Sequence, residues 1–349
     1  LNRARTTSLV ALAASAAVVL AGCTATAPEA PDASTEPVSD GEFTLYSGRD
    51  EALIQPLIDL FEEQSGISVD VRYGNTAELG ALLLEEGDRT PAQVFLSQDA
   101  GALGALANAD LFAELPADIT ERVPQGFTST DGSWVGVTGR ARVIVYDSEK
   151  LTEDEVPSSV DAFAEPEWKG RFGIAPTNAS FQAFVTAYRV LKGEEAADKW
   201  VAAIAENQPQ IFENNRAVLA AVDDGVIEAG LINHYYWFQQ AAEAGADNMR
   251  AQLSYPEAGD PGSIVNVTGA GLLASGADDA DALEFIDFLV SSEAQQHFVD
   301  ETYEYPLIEG VEAPEGLPAL DSLLNPELDL ADLESLEVTQ DLLAKYGLI

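Results

Sequence analysis

The chain has 349 residues of ordinary hydrophobic content, with 60 acidic against 17 basic side chains and a formal net charge of −43. A field of that sign repels nucleic acid and anionic headgroups and draws cations, so a DNA or RNA partner is excluded. The single cysteine, Cys23, excludes disulfides and thiolate-held zinc or iron–sulfur centres.

Arg3 and Arg5 precede an uncharged run over residues 8–20, which ends in Ala21-Gly22-Cys23. A basic start, an apolar run too short for the roughly 20 residues of a membrane span, and small closing residues make residues 1–22 a secretory signal. Leu20-Ala21-Gly22-Cys23 resembles a bacterial lipobox. That resemblance implies cleavage before Cys23 and lipid on its sulfur, so the protein is expected outside the cytoplasmic membrane, held there by lipid alone. Residues 23–41, rich in Ala, Pro, Thr, Ser and acids, read as a disordered tether. The remainder exceeds the usual size of one core, and two lobes are expected.

Residues 43–47 read as a strand, followed by Gly48-Arg49-Asp50 and a helix to about residue 64. Alternation of Ile67, Val69 and Val71 predicts a strand over 67–73, then a helix over 79–86, a strand over 93–97 and a helix over 99–108. This βαβαβα order predicts a parallel sheet covered by helices. Strands are predicted at 134–138, 142–146 and 171–175. Pro176-Thr177-Asn178-Ala179-Ser180 then turns into a helix ending near Gly193. Residues 196–206 are helical, Asn214-Asn215 precede a short helix, and a strand over 228–233 meets a helix that begins at His234. Strands at 263–267 and 271–274 and one amphipathic helix over 280–298 complete the pattern. Two α/β units joined by 142–146 and 263–267 predict a cleft with a two-strand hinge.

In such sheets ligands bind beyond the carboxyl ends of strands, where helix N-termini offer free N–H groups. Tyr235 and Tyr236 stand at a strand end turning into a helix, where both rings can aim at one point. They read either as packing residues or as oxygen ligands for a hard trivalent cation, whose charge lowers an ordinary tyrosine pKa of about 10. Asp50 and Glu51 read as helix-start acids or as functional carboxylates, and Arg49 as a partner for an anion. Asp99, after Ser97-Gln98, reads as a cap. Asn178-Ala179-Ser180 and Asn214-Asn215 suit N-capping or oxyanion binding. Of the two histidines, His234 and His297, the second reads as a surface residue. No metalloprotease, Walker or EF-hand motif occurs, Gly101 and Gly104 lack the rest of a dinucleotide fingerprint, and Ser180 has no evident base.

From about residue 43 to 349 the chain resembles the ferric-iron-binding proteins of bacterial ABC transporters. The resemblance is carried by Tyr46-Ser47-Gly48, by Arg89-Thr90-Pro91-Ala92-Gln93-Val94-Phe95, and by the run from Thr138-Gly139-Arg140-Ala141-Arg142 to Tyr146-Asp147. Trp168-Lys169-Gly170, Ala175-Pro176-Thr177-Asn178, Leu191-Lys192-Gly193-Glu194, Asn233-His234-Tyr235-Tyr236-Trp237 and Glu304-Tyr305-Pro306-Leu307 follow in order. It implies a type II periplasmic-binding-protein fold of the α/β class, each lobe a mostly parallel sheet flanked by helices. Residues 42–141 with about 266–317 would form the N-terminal lobe, and 142–265 with about 318–349 the C-terminal lobe. It implies ferric iron as cargo, held by Tyr235 and Tyr236 with carbonate, bicarbonate or phosphate as a synergistic anion. The anion positions it implies are Asn178, Ala179, Ser180, Asn215 and Asn233. Arg49 and Arg140 join them from their place at the cleft turns. Many members carry His where Asp50 stands and Glu where Gln98 stands, and some carry Tyr where Ser180 stands; Asp50 and Gln98 are the candidate ligands from the first lobe. The resemblance further implies a monomer that delivers iron to an ABC permease and its ATPase without catalysing a reaction. Two other readings stand beside it: the same fold with another cargo (an organic cation, a thiamine-like compound or an oxyanion), and a lipid-anchored hydrolase using paired carboxylates.

Overall fold

The computed structural model describes residues 38–323, 328 and 330–349, and Cys23 with the predicted signal lies outside them. Order begins before the expected end of the tether. Asp281 accepts hydrogen bonds from the Ser39 hydroxyl (2.7 Å) and from the backbone N–H groups of Asp40 and Gly41 (3.0 and 2.8 Å), so residues 38–41 are tied down.

The first unit follows the expected alternation: β1 (Glu42–Ser47), α1 (Glu51–Ser65), β2 (Ser68–Tyr73), α2 (Thr76–Glu86), β3 (Val94–Ser97) and α3 (Ala100–Asn108). Helix α1 is set by local chemistry. Asp50 caps it by accepting from the Ala52 N–H, Gly66 ends it in the left-handed conformation at φ 75°, and Leu53, Ile54, Leu57, Ile58 and Phe61 bury one face. Helix α2 starts three residues before the predicted point because Asn75 caps it, accepting from the Ala77 N–H. The short α4 (Ala117–Thr120) leads to β4 (Val135–Asp147).

Strand β4 corrects the sequence reading. The two strands expected at 134–138 and 142–146 are one strand of 13 residues, all buried. Gly136, inside the first of them, serves packing: a Cβ there would lie 2.2 Å from the Phe127 carbonyl oxygen. Likewise the strands expected at 263–267 and 271–274 are one, β9 (Val265–Leu272).

Between these two strands come β5 (Phe172–Ile174), α5 (Ala179–Lys192), α6 (Glu194–Glu206), β6 (Gln210–Ile211), α7 (Asn215–Asp223), β7 (Ala229–Asn233), α8 (Tyr235–Ala244) and β8 (Ala251–Ser254). The helix expected over 280–298 is broken. α9 (Ala280–Leu289) stops, Ser291 caps α10 (Ser292–His297), and a π-helical turn follows over Phe298–Thr302. His297 there is half-buried rather than a surface residue. β10 (Tyr305–Pro306), α11 (Leu320–Leu323) and α12 (Leu336–Lys345) end the chain.

The strands of the described residues lie in the order β2-β1-β3-β9-β4-β7-β5-β6, with β8 and β10 also pairing with β4. β1, β2 and β3 are parallel, as are β5, β6 and β7, while β9 and β4 run antiparallel between the two sets. β4 changes partners midway: Val135–Ala141 pairs with β9, and Arg142–Tyr146 pairs with β7. Helix α12 docks on α5 through a Thr186–Thr339 hydroxyl bond of 2.7 Å and the Arg189 guanidinium donating to the Ser335 carbonyl at 2.9 Å. A 3-10 turn, Leu330–Glu334, packs against both α3 and α5.

Candidate functional site

Two turns with similar hydrogen bonding open the site. After β1 and after β3 a serine hydroxyl, Ser47 or Ser97, accepts from the N–H two residues on, at 3.2 Å in each case. Thr76 joins them, donating to the Gly48 carbonyl (3.3 Å) and accepting from the Gln98 N–H (3.1 Å). A Cβ on Gly48 would come within 2.1 Å of that hydroxyl oxygen, so only glycine lets the turns approach. Asp50 projects from the first turn, exposed, as the cap of α1. Asp99 caps α3 by accepting from the Ala102 N–H at 3.1 Å, and burial raises its carboxyl above the usual range.

Strand β7 ends at Asn233, and α8 begins two residues later with Tyr235 and Tyr236. Their rings lie 4.2 Å apart between centroids and 31° from parallel. Tyr235 is wholly buried and its hydroxyl has no hydrogen-bond partner. Burial pushes that phenol well above its ordinary value, the charge of Tyr236 adds to the effect, and Arg49 and Arg140 oppose it. Tyr236 is 8% exposed and carries the Arg216 guanidinium 5.3 Å over its ring. His234 is engaged elsewhere. Its Nδ1 accepts from the Ala141 N–H (3.1 Å), which leaves Nε2–H to donate to the Tyr303 carbonyl (2.9 Å).

Three buried arginines surround the tyrosines. Arg49 is ion-paired with Glu304, which also accepts from the Thr138 hydroxyl; the Arg49 Nε and Nη1 have no partner. Burial works against the Arg49 charge, but Glu304, Tyr235 and Tyr236 outweigh it and raise its pKa. Arg140 donates to the Val267 carbonyl at 3.1 Å and leaves Nε and Nη1 unpartnered. Arg142 donates to the Leu231 carbonyl (2.8 Å), the Ser180 hydroxyl (3.2 Å) and Asn233 Oδ1 (3.4 Å), and its charge lies over Phe181 and Phe184. Burial pulls Arg142 down to about 9, against the raising influence of Tyr236 and Tyr235. Among the described residues neither Arg140 nor Arg142 has a carboxylate within ion-pairing distance.

Helix N-termini supply the fourth wall. Asn178 caps α5 through the Ser180 N–H (3.0 Å) and also accepts from the Ser180 hydroxyl (2.6 Å). Asn215 donates to that hydroxyl (3.1 Å) and to Asn178 (3.3 Å), and its own Oδ1 is buried without a partner. Asn214 caps α7 through the Ala217 N–H.

Some of these groups face a cavity of about 300 Å³ whose lining includes Arg49, Asp50, Gln98, Asn178, Arg216 and Tyr236. Of the residues singled out in the sequence, Arg49, Asp50, Glu51, Gln98, Asn178, Asn214 and Tyr236 line it. Ser180, Asn215 and Asn233 stand behind them in one hydrogen-bonded network, and Tyr235 stacks behind Tyr236. Ala179 is buried and offers no polar side chain; Arg140 is on β4, off the lining. Sequence reasoning missed Arg142, Glu304, Thr76 and Arg216. The first two sat inside quoted segments without an assigned role, and the other two carry no local signal. Two hard phenol oxygens near three cations suit a trivalent metal and an anion together. No cluster of three His, Cys, Asp or Glu among the described residues offers a rival metal site.

Residues 89–330 match the model of the bacterial extracellular solute-binding protein family. The chain belongs to that family. It is 34% identical over 312 residues, 89% of this chain and 92% of the other, to the Fe(3+)-binding periplasmic protein of Serratia marcescens. It is 36% identical over 310 residues, 88% and 93% of the two chains, to the major ferric iron-binding protein of Neisseria meningitidis serogroup B. The crystal structure of iron-bound HitA from Pseudomonas aeruginosa matches with a TM-score of 0.83 at 33% identity, covering 88% of this chain and 99% of that one. The solute-binding family member described here therefore has the type II periplasmic-binding-protein fold and is a binding protein, not an enzyme. No helix among the described residues is long and apolar enough to cross a membrane.

Proposed function

We propose that this protein captures ferric iron, with a synergistic anion, between two lobes outside the cytoplasmic membrane and hands it to an ABC permease served by its ATPase. One observation carries the reading: Tyr235, beside Tyr236, buries a hydroxyl with no partner among cationic side chains. A buried phenol left unsatisfied is unfavourable. Binding Fe³⁺ as phenolate gives that oxygen a ligand, and the arginines balance its charge. Arg142, Asn178, Ser180, Asn215 and Asn233 are the proposed anion contacts, with Ala179 beside them and Arg49 and Arg140 adding charge. Carbonate, bicarbonate or phosphate suits such donors. Asp50 and Gln98, on the cavity lining, are the proposed contacts from the opposite lobe.

The proposed lobes are 42–141 with about 266–317, and 142–265 with about 318–349. The exchange of β4 partners between Ala141 and Arg142 supports that division. The turn Leu330–Glu334, assigned to the second lobe, packs on α3 of the first. Cys23 is the proposed lipid anchor of a monomer. Its test is Cys23→Ser, which should lose membrane retention in detergent partition; full retention overturns the anchor.

The iron reading is tested by adding Fe³⁺ and bicarbonate to the protein. A broad visible band from tyrosinate-to-iron charge transfer is expected, reduced in Tyr235→Phe and in Tyr236→Phe. Undiminished iron binding by the folded double variant would make both tyrosines packing residues.

A further inference from the structure

We infer that Thr76 is a positioning residue for the cargo: its hydroxyl ties together the two turns that carry Asp50 and Gln98, and so sets where the first lobe meets the metal. The inference rests on the ferric-iron reading and deepens it with a residue that acts through the proposed contacts rather than as one of them. Strands β2, β1 and β3 lie side by side and parallel, so the turns that follow them leave one edge of the sheet together. Two backbone bonds align their exits: the Gly74 N–H donates to the Ser47 carbonyl (3.1 Å) and the Gly48 N–H to the Leu96 carbonyl (2.8 Å). Beyond those bonds the ladder ends, and each chain segment turns away into its helix.

Thr76, the first residue of α2, stands where the three exits meet and is 2% exposed. Its hydroxyl gives its one proton to the Gly48 carbonyl (3.3 Å) and accepts from the Gln98 N–H (3.1 Å). One oxygen thus holds Gln98 itself and the residue two before Asp50, with its donor and a lone pair both in use. The approach is close: a Cβ on Gly48 would lie 2.1 Å from that oxygen and 3.0 Å from the Thr76 Cα. Thr76, Asp50 and Gln98 line the same cavity. A metal contact tolerates only about 0.2 Å of misplacement, and a ligand on a turn keeps that precision only when other groups fix the turn. Valine in place of Thr76 keeps the shape but neither donates nor accepts, so the two turns lose their common anchor. Tyr235 and Tyr236, on α8, do not depend on it.

The test loads the protein with Fe³⁺ and bicarbonate and follows the loss of the visible band to excess citrate. It compares wild type, Thr76→Val, Thr76→Ser, and Thr76→Val placed in an Asp50→Asn, Gln98→Ala background. Thr76→Val should still show the tyrosinate band but release iron about tenfold faster, the size of one lost hydrogen bond. Thr76→Ser, which keeps the hydroxyl, should return most of the way to wild type. In the background release is already fast, and Thr76→Val should add nothing, whereas a general loosening of the fold would add to it. Gly48→Ala presses on the same oxygen; it should also speed release, and it serves as the second variant if Thr76→Val does not fold. Release at the wild-type rate from Thr76→Val, or a tenfold effect that persists in the background, overturns the inference and leaves the iron reading standing. A background that releases iron no faster than wild type overturns it too, because Thr76 would then have no contact to position. If wild type binds no iron, both readings fall.

Discussion

Arg49, in the turn after β1, and Glu304, 255 residues further along the chain, form an ion pair in which neither side chain is exposed. The pair joins the floor of the cavity to the segment after the π-helical turn, and Thr138 of β4 completes it. Burying two charges is unfavourable, and removing one leaves the other without compensation. Glu304→Leu should therefore destabilise the protein by about 3–5 kcal/mol. Arg49→Met with Glu304→Leu should lose clearly less than Glu304→Leu alone. Urea unfolding of the single and double variants measures both, and additive losses would contradict the pairing argument.

Tyr235 predicts a conflict between stability and binding. Its hydroxyl is buried and unpartnered, so Tyr235→Phe should stabilise the iron-free protein by about 1 kcal/mol while weakening iron capture. Burial holds this phenol protonated well above the ordinary range, so metal binding must release its proton. Ferric capture should strengthen as pH rises, with proton release measurable by titration in weakly buffered solution. A variant less stable than wild type without iron would show a missed partner for the hydroxyl.

Much of the site was legible because it lies at strand-to-helix turns, where caps have short signals. Asn178, Asn214, Asp50 and Asp99 all cap as their residue types suggest. The lining was less legible because long-range partners leave no local trace. Nothing near Arg49 announces Glu304, and nothing near Ala141 announces that His234 accepts its N–H. The misread strands have a different cause. Gly139, in the gap between the two expected strands, weakens a strand pattern when read alone, yet Leu307 and Tyr305 pack so closely on it that a side chain there would crowd them.

His234 gives a pH dependence of stability. Burial lowers it to about 4, from an ordinary 6.5. The Tyr303 carbonyl and Glu304 pull upward and Arg140 pulls down. The unfolded chain thus binds a proton on this ring at a higher pH than the folded one. Its contribution is complete above pH 6.5 and is lost as pH falls toward 4, about 3 kcal/mol in all. His234→Asn should start lower, having lost two hydrogen bonds, but should show a flatter decline between pH 6.5 and 4. Denaturant midpoints across that range provide the check, and parallel slopes in the two proteins would show that the ring does not set the acid limb.

Asp50 distinguishes a cap from a ligand. It accepts from the Ala52 N–H at 3.0 Å and is exposed on the cavity lining, so both roles are open to the same carboxylate. Asparagine caps about as well as aspartate but lacks the charge, whereas alanine removes both. Asp50→Ala should cost about 1 kcal/mol of stability, and Asp50→Asn only the few tenths that a charge at a helix start contributes. If the carboxylate also meets iron, Asp50→Asn should lower iron affinity about as far as Asp50→Ala does, despite keeping the cap. Iron competition by citrate at several bicarbonate and phosphate levels, with Arg49→Ala alongside, separates this from an anion filling the position. In that case Arg49→Ala should deepen the dependence on anion concentration while Asp50→Asn leaves it as in wild type. An anion dependence and an affinity identical in all four proteins would remove both residues from the site.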